Sequence, residues 1–503
     1  MDNNFKHQST LIASLHSHAH RRSSDIAIAD EKDSLTYEQL WTSITTKNFA
    51  DTSRPLWIAN ALATGVPFTQ LLLACQYHQV GHISLPNDVT PYEAERYLDD
   101  LPIDFGFCDN NSAWLDLSPA FHTHQTSLIA NHPWQALHDG KWVQFTSGST
   151  GRPKALILNQ SAMNANLTLH KNWLKQWEGT SVFCPMPQFH AMGGAVLQEY
   201  LYAGASLHVA KQSMPGQDLK RMQQANVRLI VAPPSYFRML LTLKALNPDS
   251  LPSLEMVEIG SASVHRSLID ALLAAYPSLS IRIRYGQSEA SGSLTSLIIN
   301  ASNQHLFKDG AIGIPTEGID ISCDEHRKEL HFKAPTCATY QWHDQQLKPV
   351  LGTSTHELST GDSASYDSEL NSWVIEGRQS SFIKRNGYRI NPEDIETAMM
   401  QMPQVHQAIA VPIADATAGA NIVVLVQANT NQPSLSIPEL IQHARTHLST
   451  YKWPQRFFIV PNAPMTPSGK PDRHNAQITT NHLIGGARTE TSSPSTQSSE
   501  VVL

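Results

Sequence analysis

The chain has 503 residues, of which 41% are apolar and 16% charged, and its formal net charge is -8. This composition suits two or more folded domains and argues against a nucleic-acid-binding protein or one that binds acidic membranes. The 5 cysteines are widely spaced and form no CxxC pair, which predicts free thiols in a reducing compartment. No apolar run approaches the roughly 18 residues that cross a bilayer, and the first ten residues lack the order of a signal peptide. We therefore expect a cytoplasmic protein.

Helical and strand-like patterns alternate along the first three quarters of the chain. Helical periodicity covers 93–101 and 266–276, and short β-branched runs cover 228–232, 256–259 and 281–285. Such alternation predicts an α/β fold in which helices cover mainly parallel sheets. We expect these elements to form a large N-terminal domain over residues 1–377.

The pattern changes near residue 377. The segment at 378–389, RQSSFIKRNGYR, is basic and polar, as is typical of a linker. Helical patterns then cover 392–402 and 437–448, and strand-like runs cover 408–412 and 422–428. Together they predict a small α+β C-terminal domain over 378–483. The Ser- and Thr-rich segment 484–503 is expected to be a disordered tail.

A segment rich in glycine and hydroxyl side chains, FTSGSTGRPK, occupies 145–154. Its hydroxyls and backbone amides are typical of an anion-binding turn. The Walker spacing GxxxxGK[ST] is not met, because Arg152 and Pro153 follow Gly151. An ordinary polar turn is the alternative. The candidate phosphate-binding residues are Thr146, Ser147, Gly148, Ser149, Thr150 and Lys154.

Five motifs follow one another along the chain. They are TSGSTGRPK at 146–154, YGQSE at 285–289, STGD at 359–362, GRQSSFIKRNGYRI at 377–390 and PMTPSGKPDR at 464–473. In this order they resemble the adenylate-forming superfamily, which includes acyl-CoA synthetases, aryl-CoA ligases, luciferases and peptide-synthetase adenylation domains. The resemblance implies a mobile C-terminal domain and a two-step reaction. A carboxylate attacks the α-phosphate of ATP to give an acyl adenylate and pyrophosphate, and a thiol then displaces AMP.

The resemblance assigns charge-stabilising roles to two of these motifs. Lys470 would bridge the substrate carboxylate and the α-phosphate, which is electrostatic stabilisation of a phosphoryl-transfer centre. Glu289 would hold Mg²⁺, a hard cation that prefers oxygen ligands. Ser288 replaces the usual threonine and keeps the hydroxyl for phosphate contact. A solvated surface lysine is the alternative for Lys470.

The nucleoside of ATP is assigned to residues from three motifs. Tyr285 would lie against the adenine, as would the turn that carries Ser261 and Ala262, although core packing alone would also explain a tyrosine here. Asp362 would accept hydrogen bonds from both ribose hydroxyls, and Arg378 would reach the same sugar. An aspartate that follows Thr-Gly is otherwise typical of a turn.

The C-terminal domain is expected to alternate between the two half-reactions. Ser380 stands where many relatives carry Asp or Lys as the pivot, and a serine can also absorb a hinge rotation. The resemblance assigns Lys384, Asn386 and Gly387 to the CoA thiol channel, and places Arg389 among the cofactor-binding residues.

The acid substrate is expected to lie near PQFHAMGG at 187–194. His190 stands where amino-acid-activating relatives carry an aspartate that pairs with the substrate ammonium. We therefore expect a carboxylic acid without an α-amine. His190 would flank the acyl pocket, and Gly193 and Gly194 would leave room beside it. A core histidine satisfied by backbone is the alternative.

Three functions fit these assignments. The favoured one is an acid:CoA ligase that uses ATP, Mg²⁺ and CoA. The second is a stand-alone adenylating enzyme that loads a carrier protein or an amine acceptor. The third is a silent nucleotide-binding module, which the joint presence of Lys470, Glu289, Asp362 and Arg378 disfavours.

Overall fold

The computed structural model of the protein describes residues 9–47, 49, 57–90, 93, 94, 97, 101, 103, 105–108, 140–147, 153–210, 214–262, 264–324, 328–343, 346–352, 357–378, 382–429, 434–465 and 471–489. The chain folds into two compact units. The larger unit comprises Met1–Asn87, Asp100–Thr146 and Lys154–Gln379, and the smaller unit comprises Asp88–Asp99, Ser147–Pro153 and Ser380–Leu503. Two short segments of the N-terminal half therefore belong to the smaller unit.

Within the described ranges the helices of the larger unit are α1 Thr10–Arg21, α2 Tyr37–Thr45, α3 Val66–Tyr77, α4 Gln160–Leu169, α5 Lys171–Leu174, α6 Ala191–Ala203, α7 Pro215–Gln224, α8 Pro234–Thr242 and α9 Arg266–Ala275. Local sequence explains several of their ends. Thr36 and Gln39 form a capping box that starts α2. Gly204, with a φ of 79°, ends α6 in the left-handed conformation that favours glycine.

The strands of the larger unit are β1 Ile26–Ala29, β2 Ser34–Thr36, β3 Trp57–Ala61, β4 Gly81–Ser84, β5 Phe105–Cys108, β6 Gly140–Ser147, β7 Pro153–Asn159, β8 Ser181–Cys184, β9 Ser206–Val209, β10 Leu229–Ala232, β11 Met256–Ile259, β12 Ser280–Gln287, β13 Gly292–Ile299, β14 Ala311–Pro315, β15 Asp320–Cys323, β16 Glu329–Lys333, β17 Tyr340–His343, β18 Gln346–Pro349, β19 Leu358–Asp367 and β20 Ser372–Arg378. The expected runs at 228–232, 256–259 and 281–285 thus correspond to β10, β11 and β12.

Two mixed sheets organise the larger unit. Among the described strands, one sheet has the order β15-β16-β19-β20-β14-β13-β12-β11-β10-β8-β9-β1-β2 and the other the order β18-β17-β7-β6-β4-β3-β5. Strands β8 to β12 run parallel at the centre, where β10 is an unbroken apolar run, LIVA, buried along its whole length. From β12 to β20 the first sheet is antiparallel. The α/β class is confirmed, whereas the sheets are mixed and not mainly parallel.

Apolar side chains from both faces of the first sheet form the core of the larger unit. One cluster joins α1, α2 and α6 to the sheet through residues such as Leu11, Leu40 and Leu197, all fully buried. A second cluster lies around α8 and α9 on β10 to β12, with Phe237 and Ile269 fully buried. The strand ends that carry the motif residues are therefore held by a rigid support.

The smaller unit contains β21 Ile383–Arg385, β22 Tyr388–Ile390, β23 Val405–Asp415, β24 Gly419–Ala428 and β25 Arg456–Val460, with α10 Pro392–Met399, α11 Ile437–His447 and α12 Arg473–Thr489. Strands β23, β24 and β25 form one sheet, and β21 pairs with β22 in a hairpin. The expected linker at 378–389 is thus partly ordered structure. Helix α12 continues to Thr489 because Leu483 and Ile484 pack on the apolar face of the sheet, so the tail cannot begin at residue 484.

A buried ionic cluster lies inside the smaller unit. The Lys452 ammonium is 2.9 Å from Glu93 Oε1 and 3.4 Å from Asp394 Oδ2, and all three side chains are at most 5% exposed. The hydroxyl of Ser449 donates a hydrogen bond to the same Glu93 carboxylate. Because a buried charge without a partner is costly, this cluster fixes the short segment around Glu93 within the smaller unit.

None of the helices in the described ranges has both the length and the apolar composition that crossing a bilayer requires.

Candidate active site

The end of β12 brings two motif residues together. The Tyr285 hydroxyl donates a hydrogen bond of 2.8 Å to Oδ2 of Asp362 on β19. The Tyr285 ring stacks on Phe332 with ring centroids 6.0 Å apart. Burial raises the pKa of Tyr285, and the adjacent Asp362 carboxylate raises it further, so the phenol remains a donor. Tyr285 is therefore both packed in the core and joined to the proposed ribose ligand.

Gln287 is a member of the same group that the sequence did not single out. Its Nε2 donates to the Thr360 carbonyl at 2.8 Å and approaches Asp362 Oδ2 at 3.3 Å. It lies two residues after Tyr285, within YGQSE, and so on the same face of β12. This spacing of two residues along a strand is the feature of the sequence that could have identified Gln287.

The two residues assigned to the ribose lie opposite each other in the sheet. Asp362 on β19 is the cross-strand partner of Arg378 on β20. Directly opposed residues in antiparallel strands have neighbouring Cβ atoms. The Arg378 side chain lies outside the described part, but its backbone position agrees with the shared assignment.

Glu289 lies in a short helical turn, Ser288–Ala290, that follows β12. Its carbonyl accepts a 2.7 Å hydrogen bond from the Ala338 amide, which anchors the turn. The side-chain atom Oε2 is buried and has no hydrogen-bond partner among the residues that the structure describes. A buried carboxylate oxygen left without a donor fits a hard cation such as Mg²⁺. Across the part of the chain that is described, no three His, Cys, Asp or Glu side chains cluster as a protein-only metal site.

The turn proposed to face the adenine packs against the Met192 side chain. Ser261 has a φ of 66°, which turns the chain sharply after β11. Its hydroxyl lies 3.0 Å from the sulfur of Met192 on α6. A Cβ on Gly260 would collide with the same Met192 side chain. Helix α6 therefore supports the turn that carries Ser261 and Ala262.

His190 is the residue before α6. Desolvation lowers its pKa to about 4, so the imidazole is neutral near pH 7. Gly193 and Gly194, which were assigned to the acyl pocket, have neighbouring groups at the positions that a Cβ would take. A Cβ on Gly193 would strike the Pro187 carbonyl, and one on Gly194 would strike the Trp142 ring. The two glycines instead allow close packing of α6.

A buried ionic network lies beneath α6. Arg284 Nη2 bonds Glu199 Oε1 at 2.8 Å, and Arg282 pairs with Glu258, which also accepts a hydrogen bond from Tyr200. The two arginines alternate with Ile281 and Ile283 along β12, and that alternation was the signal in the sequence. The network fixes α6 to the strand that carries Tyr285.

In the smaller unit the β21–β22 hairpin carries the proposed thiol residues. Asn386 and Gly387 have φ values of 49° and 84° and form its turn. The Asn386 amide donates to the Ala418 carbonyl at 2.8 Å. Lys384 is exposed, and the Arg389 guanidinium lies 3.9 Å from the centroid of the Phe382 ring.

The phosphate loop joins two strands. Thr146 is partly buried near the end of β6, whose backbone extends through Ser147. Lys154 is also partly buried and precedes the buried part of β7, which begins at Ala155. These strands are neighbours in the second sheet. Gly148, Ser149, Thr150, Ser380 and Lys470 lie outside the described residues.

Two models of known protein families match the chain. Residues 85–334 match the family model of AMP-binding enzymes, and residues 394–470 match that of the AMP-binding enzyme C-terminal domain. The D-alanine–D-alanyl carrier protein ligase of Staphylococcus aureus strain MRSA252 is 24% identical over an alignment 490 residues long, which covers 92% of this chain and 98% of that protein.

Two solved structures have a similar fold. The o-succinylbenzoate CoA synthetase of Bacillus subtilis superposes with a TM-score of 0.76 at 18% identity, covering 93% of this chain and 98% of that one. An amide bond synthetase from Marinactinospora thermotolerans gives a TM-score of 0.76 at 19% identity, covering 93% of this chain and 99% of that one. Both similarities support the arrangement of a large N-terminal and a small C-terminal domain.

Proposed function

Because the chain belongs to the AMP-binding enzymes of the adenylate-forming superfamily, we propose that it activates a carboxylic acid that is not an amino acid and transfers the acyl group to the thiol of CoA. The chain is thus an AMP-forming, adenylate-forming ligase that uses ATP. The acid class and the acceptor are the finer parts of the proposal.

One observation supports the acid class. The position that would pair with a substrate ammonium holds His190, and burial lowers the pKa of this imidazole to about 4. A neutral ring offers no negative charge, so binding an ammonium beside it would cost desolvation without compensation. An aliphatic or aryl acid carries no such group.

The nucleotide would be held by groups of the larger unit. Asp362 would accept from the ribose hydroxyls while Tyr285 and Gln287 fix its orientation through Oδ2. Glu289, with its buried unpaired Oε2, would hold Mg²⁺. The ion would supply charge neutralisation of the triphosphate.

Two lysines would serve the two half-reactions, one in adenylation and one in thiol transfer. Lys470 would neutralise charge between the substrate carboxylate and the α-phosphate during adenylation. Lys384, in the hairpin that also carries Gly387, would line the path of the thiol. Gly387, with its φ of 84°, suits a close approach of the thiol arm to backbone.

Loading of a carrier protein is the second candidate. It is favoured by the similarity, along 92% of this chain, to a D-alanine–D-alanyl carrier protein ligase. That relative acts on an amino acid, so the two candidates differ in both acid and acceptor.

An acid-dependent pyrophosphate-release screen tests both candidates. Aliphatic, aryl and amino acids, including D-alanine, are offered to the full chain with ATP and Mg²⁺, alone, with CoA, or with a purified carrier protein. We expect release with a non-amino acid and formation of its acyl-CoA. Release with amino acids alone, and acyl transfer only to the carrier protein, would establish the second candidate instead.

A further inference from the structure

The strand that carries Asp362 is irregular at this residue. Glu329 on β16 faces Ser363 on β19, whereas His331, two residues later, faces Ser359. Two steps along β16 therefore correspond to four along β19, and residues 360–362 bulge out of the ladder. Bulges of this kind redirect a side chain and leave backbone groups without their strand partners.

The Glu329 carboxylate fills this bulge. Its Oε1 accepts a 3.0 Å hydrogen bond from the Gly361 amide and a second bond from the Ser359 hydroxyl. Glu329 is only 8% exposed. A carboxylate oxygen accepts a hydrogen bond from a backbone amide, as the carbonyl oxygen of a neighbouring strand would. The carboxylate thus replaces the ladder partner that the bulge removes.

The rest of the turn is held by its own threonine. The Thr360 hydroxyl donates to the Leu330 carbonyl at 2.7 Å and accepts from the Asp362 amide at 3.1 Å. Gly361 has a φ of 68°, and a Cβ placed on it would meet no atom within 4 Å. Hydrogen bonds therefore hold the turn to β16, whereas no described atom packs against it at Gly361.

We propose that Glu329 is a positioning residue for nucleotide recognition: it holds the Ser359–Asp362 bulge so that the Asp362 carboxylate meets the ribose hydroxyls. This inference rests on the proposed ribose contact of Asp362. Without Glu329 the Gly361 amide loses its partner, and β19 can re-register against β16. A slip of one residue turns every side chain to the other face of the sheet.

The position of Oε1, and not the charge of the carboxylate, carries the effect. Both hydrogen bonds end on Oε1, an atom that Glu329→Gln also supplies. Glu329→Asp keeps the charge but withdraws the oxygens by one methylene. Glu329→Ala removes the acceptor. The glutamine variant therefore preserves the turn, whereas the other two release it.

The experiment measures binding of ATP and of 2′,3′-dideoxyATP to the full chain by calorimetry. The readout is the dissociation constant of 2′,3′-dideoxyATP divided by that of ATP. This ratio reports recognition of the ribose hydroxyls and is insensitive to the fraction of folded protein. Asp362→Ala is the reference for complete loss of this recognition. Glu255→Ala, at an exposed pair with Arg228 elsewhere in the larger unit, is the matched control.

We expect Asp362→Ala to reduce the ratio at least about tenfold, as loss of charged hydrogen bonds would. Glu329→Ala and Glu329→Asp reduce it at least about fivefold, whereas Glu329→Gln and Glu255→Ala stay within about twofold of the wild type. Glu329→Ala combined with Asp362→Ala falls no further than Asp362→Ala alone. If the alanine variant does not fold, the contrast between aspartate and glutamine decides the matter.

Any other pattern among the Glu329 variants overturns the inference. If Asp362→Ala lowers the ratio while the Glu329 variants do not, Glu329 has no positioning role and the ribose assignment stands. If Asp362→Ala itself leaves the ratio unchanged, the ribose assignment fails, and this inference fails with it.

Discussion

The Tyr285 hydroxyl and the Asp362 carboxylate, 77 residues apart in the chain, are joined by a 2.8 Å hydrogen bond. The bond connects the end of the parallel part of the first sheet to its antiparallel extension. Two motifs that are far apart in the sequence therefore meet at the proposed nucleotide site.

Removal of the Asp362 carboxylate is expected to weaken nucleotide binding. Asp362→Ala should lower ATP affinity by about 1.5 to 3 kcal/mol, because it removes charge-assisted hydrogen bonds to the ribose. Tyr285→Phe should cost less, about 1 kcal/mol, since it only frees Asp362 to reorient. Calorimetric titration with ATP measures both, and unchanged affinity in Asp362→Ala would rule out the ribose contact.

Lys470→Ala is expected to separate the two half-reactions. It should abolish acyl adenylate formation, because the charge between carboxylate and α-phosphate is then uncompensated. Thioester formation from a supplied acyl adenylate should be largely retained. The control is Lys308→Ala, an exposed lysine paired with Asp367. Equal loss of both half-reactions would contradict the assignment of Lys470 to adenylation.

Exchange of His190 for aspartate is expected to change the acid class. An aspartate here supplies the negative charge that an amino-acid ammonium needs. His190→Asp should lower pyrophosphate release with the preferred acid at least about tenfold while raising release with amino acids above background. His190→Asn is the uncharged control. If both variants respond alike to amino acids, charge at this position does not select the acid.

Buried His82 is expected to make the protein sensitive to acid. Desolvation lowers its pKa to about 3, and its Nε2 accepts a 3.0 Å hydrogen bond from Asn60. Between about pH 6.5 and 3 the unfolded chain binds a proton that the folded chain does not, so stability falls as the pH falls. From pH 7.5 to 5.0 the loss from this residue is on the order of 2 kcal/mol.

Urea unfolding at these two pH values measures the effect. His82→Gln, which retains hydrogen-bonding capacity without titrating, should lose less stability than the wild type over this pH interval. The same loss in both proteins would show that His82 does not bind the proton on unfolding.

Breaking the ionic cluster of the smaller unit is expected to destabilise it. Glu93→Gln removes the nearer carboxylate of the Lys452 ammonium, 5% exposed, and leaves Asp394 Oδ2 at 3.4 Å, so the loss should lie below the about 3 to 5 kcal/mol of a buried charge left without any partner. The double variant Glu93→Leu with Lys452→Met should recover part of this loss, since it removes the buried ammonium together with its Glu93 partner. Urea unfolding with limited proteolysis around residue 93 measures both. A fully stable Glu93→Gln protein would show that the pair does not hold this segment.

The sequence predicted those parts of the site that depend on local order. Tyr285, Glu289 and Asp362 were found because their motifs occur in a fixed succession, and the inferred family is confirmed. Strands β10 and β11 were found because short runs rich in β-branched residues are typical of strands. The family is confirmed, but the roles assigned to Tyr285, Glu289 and Asp362 stay predictions, as do those of Lys470 and the thiol hairpin.

Features that depend on tertiary pairing were not predicted. Glu329 contacts the STGD turn only because β16 and β19 are neighbours with a shifted register. Glu93 meets Lys452 across 359 residues of sequence. The backbone at Gly193 and Gly194 packs closely against Pro187 and Trp142, contacts that their spacing did not indicate. Spacing along one chain contains no information on such partners.

A single-turnover experiment tests the central claim most directly. The full chain is mixed with α-labelled ATP, Mg²⁺ and the acid that the screen selects, first without CoA and then with CoA added. We predict that acyl-AMP accumulates without the thiol and that AMP and acyl-CoA replace it when CoA is added. Accumulation of acyl-AMP that persists with CoA but is discharged by a carrier protein would contradict the proposed acceptor, and the absence of acyl-AMP would contradict adenylate formation itself.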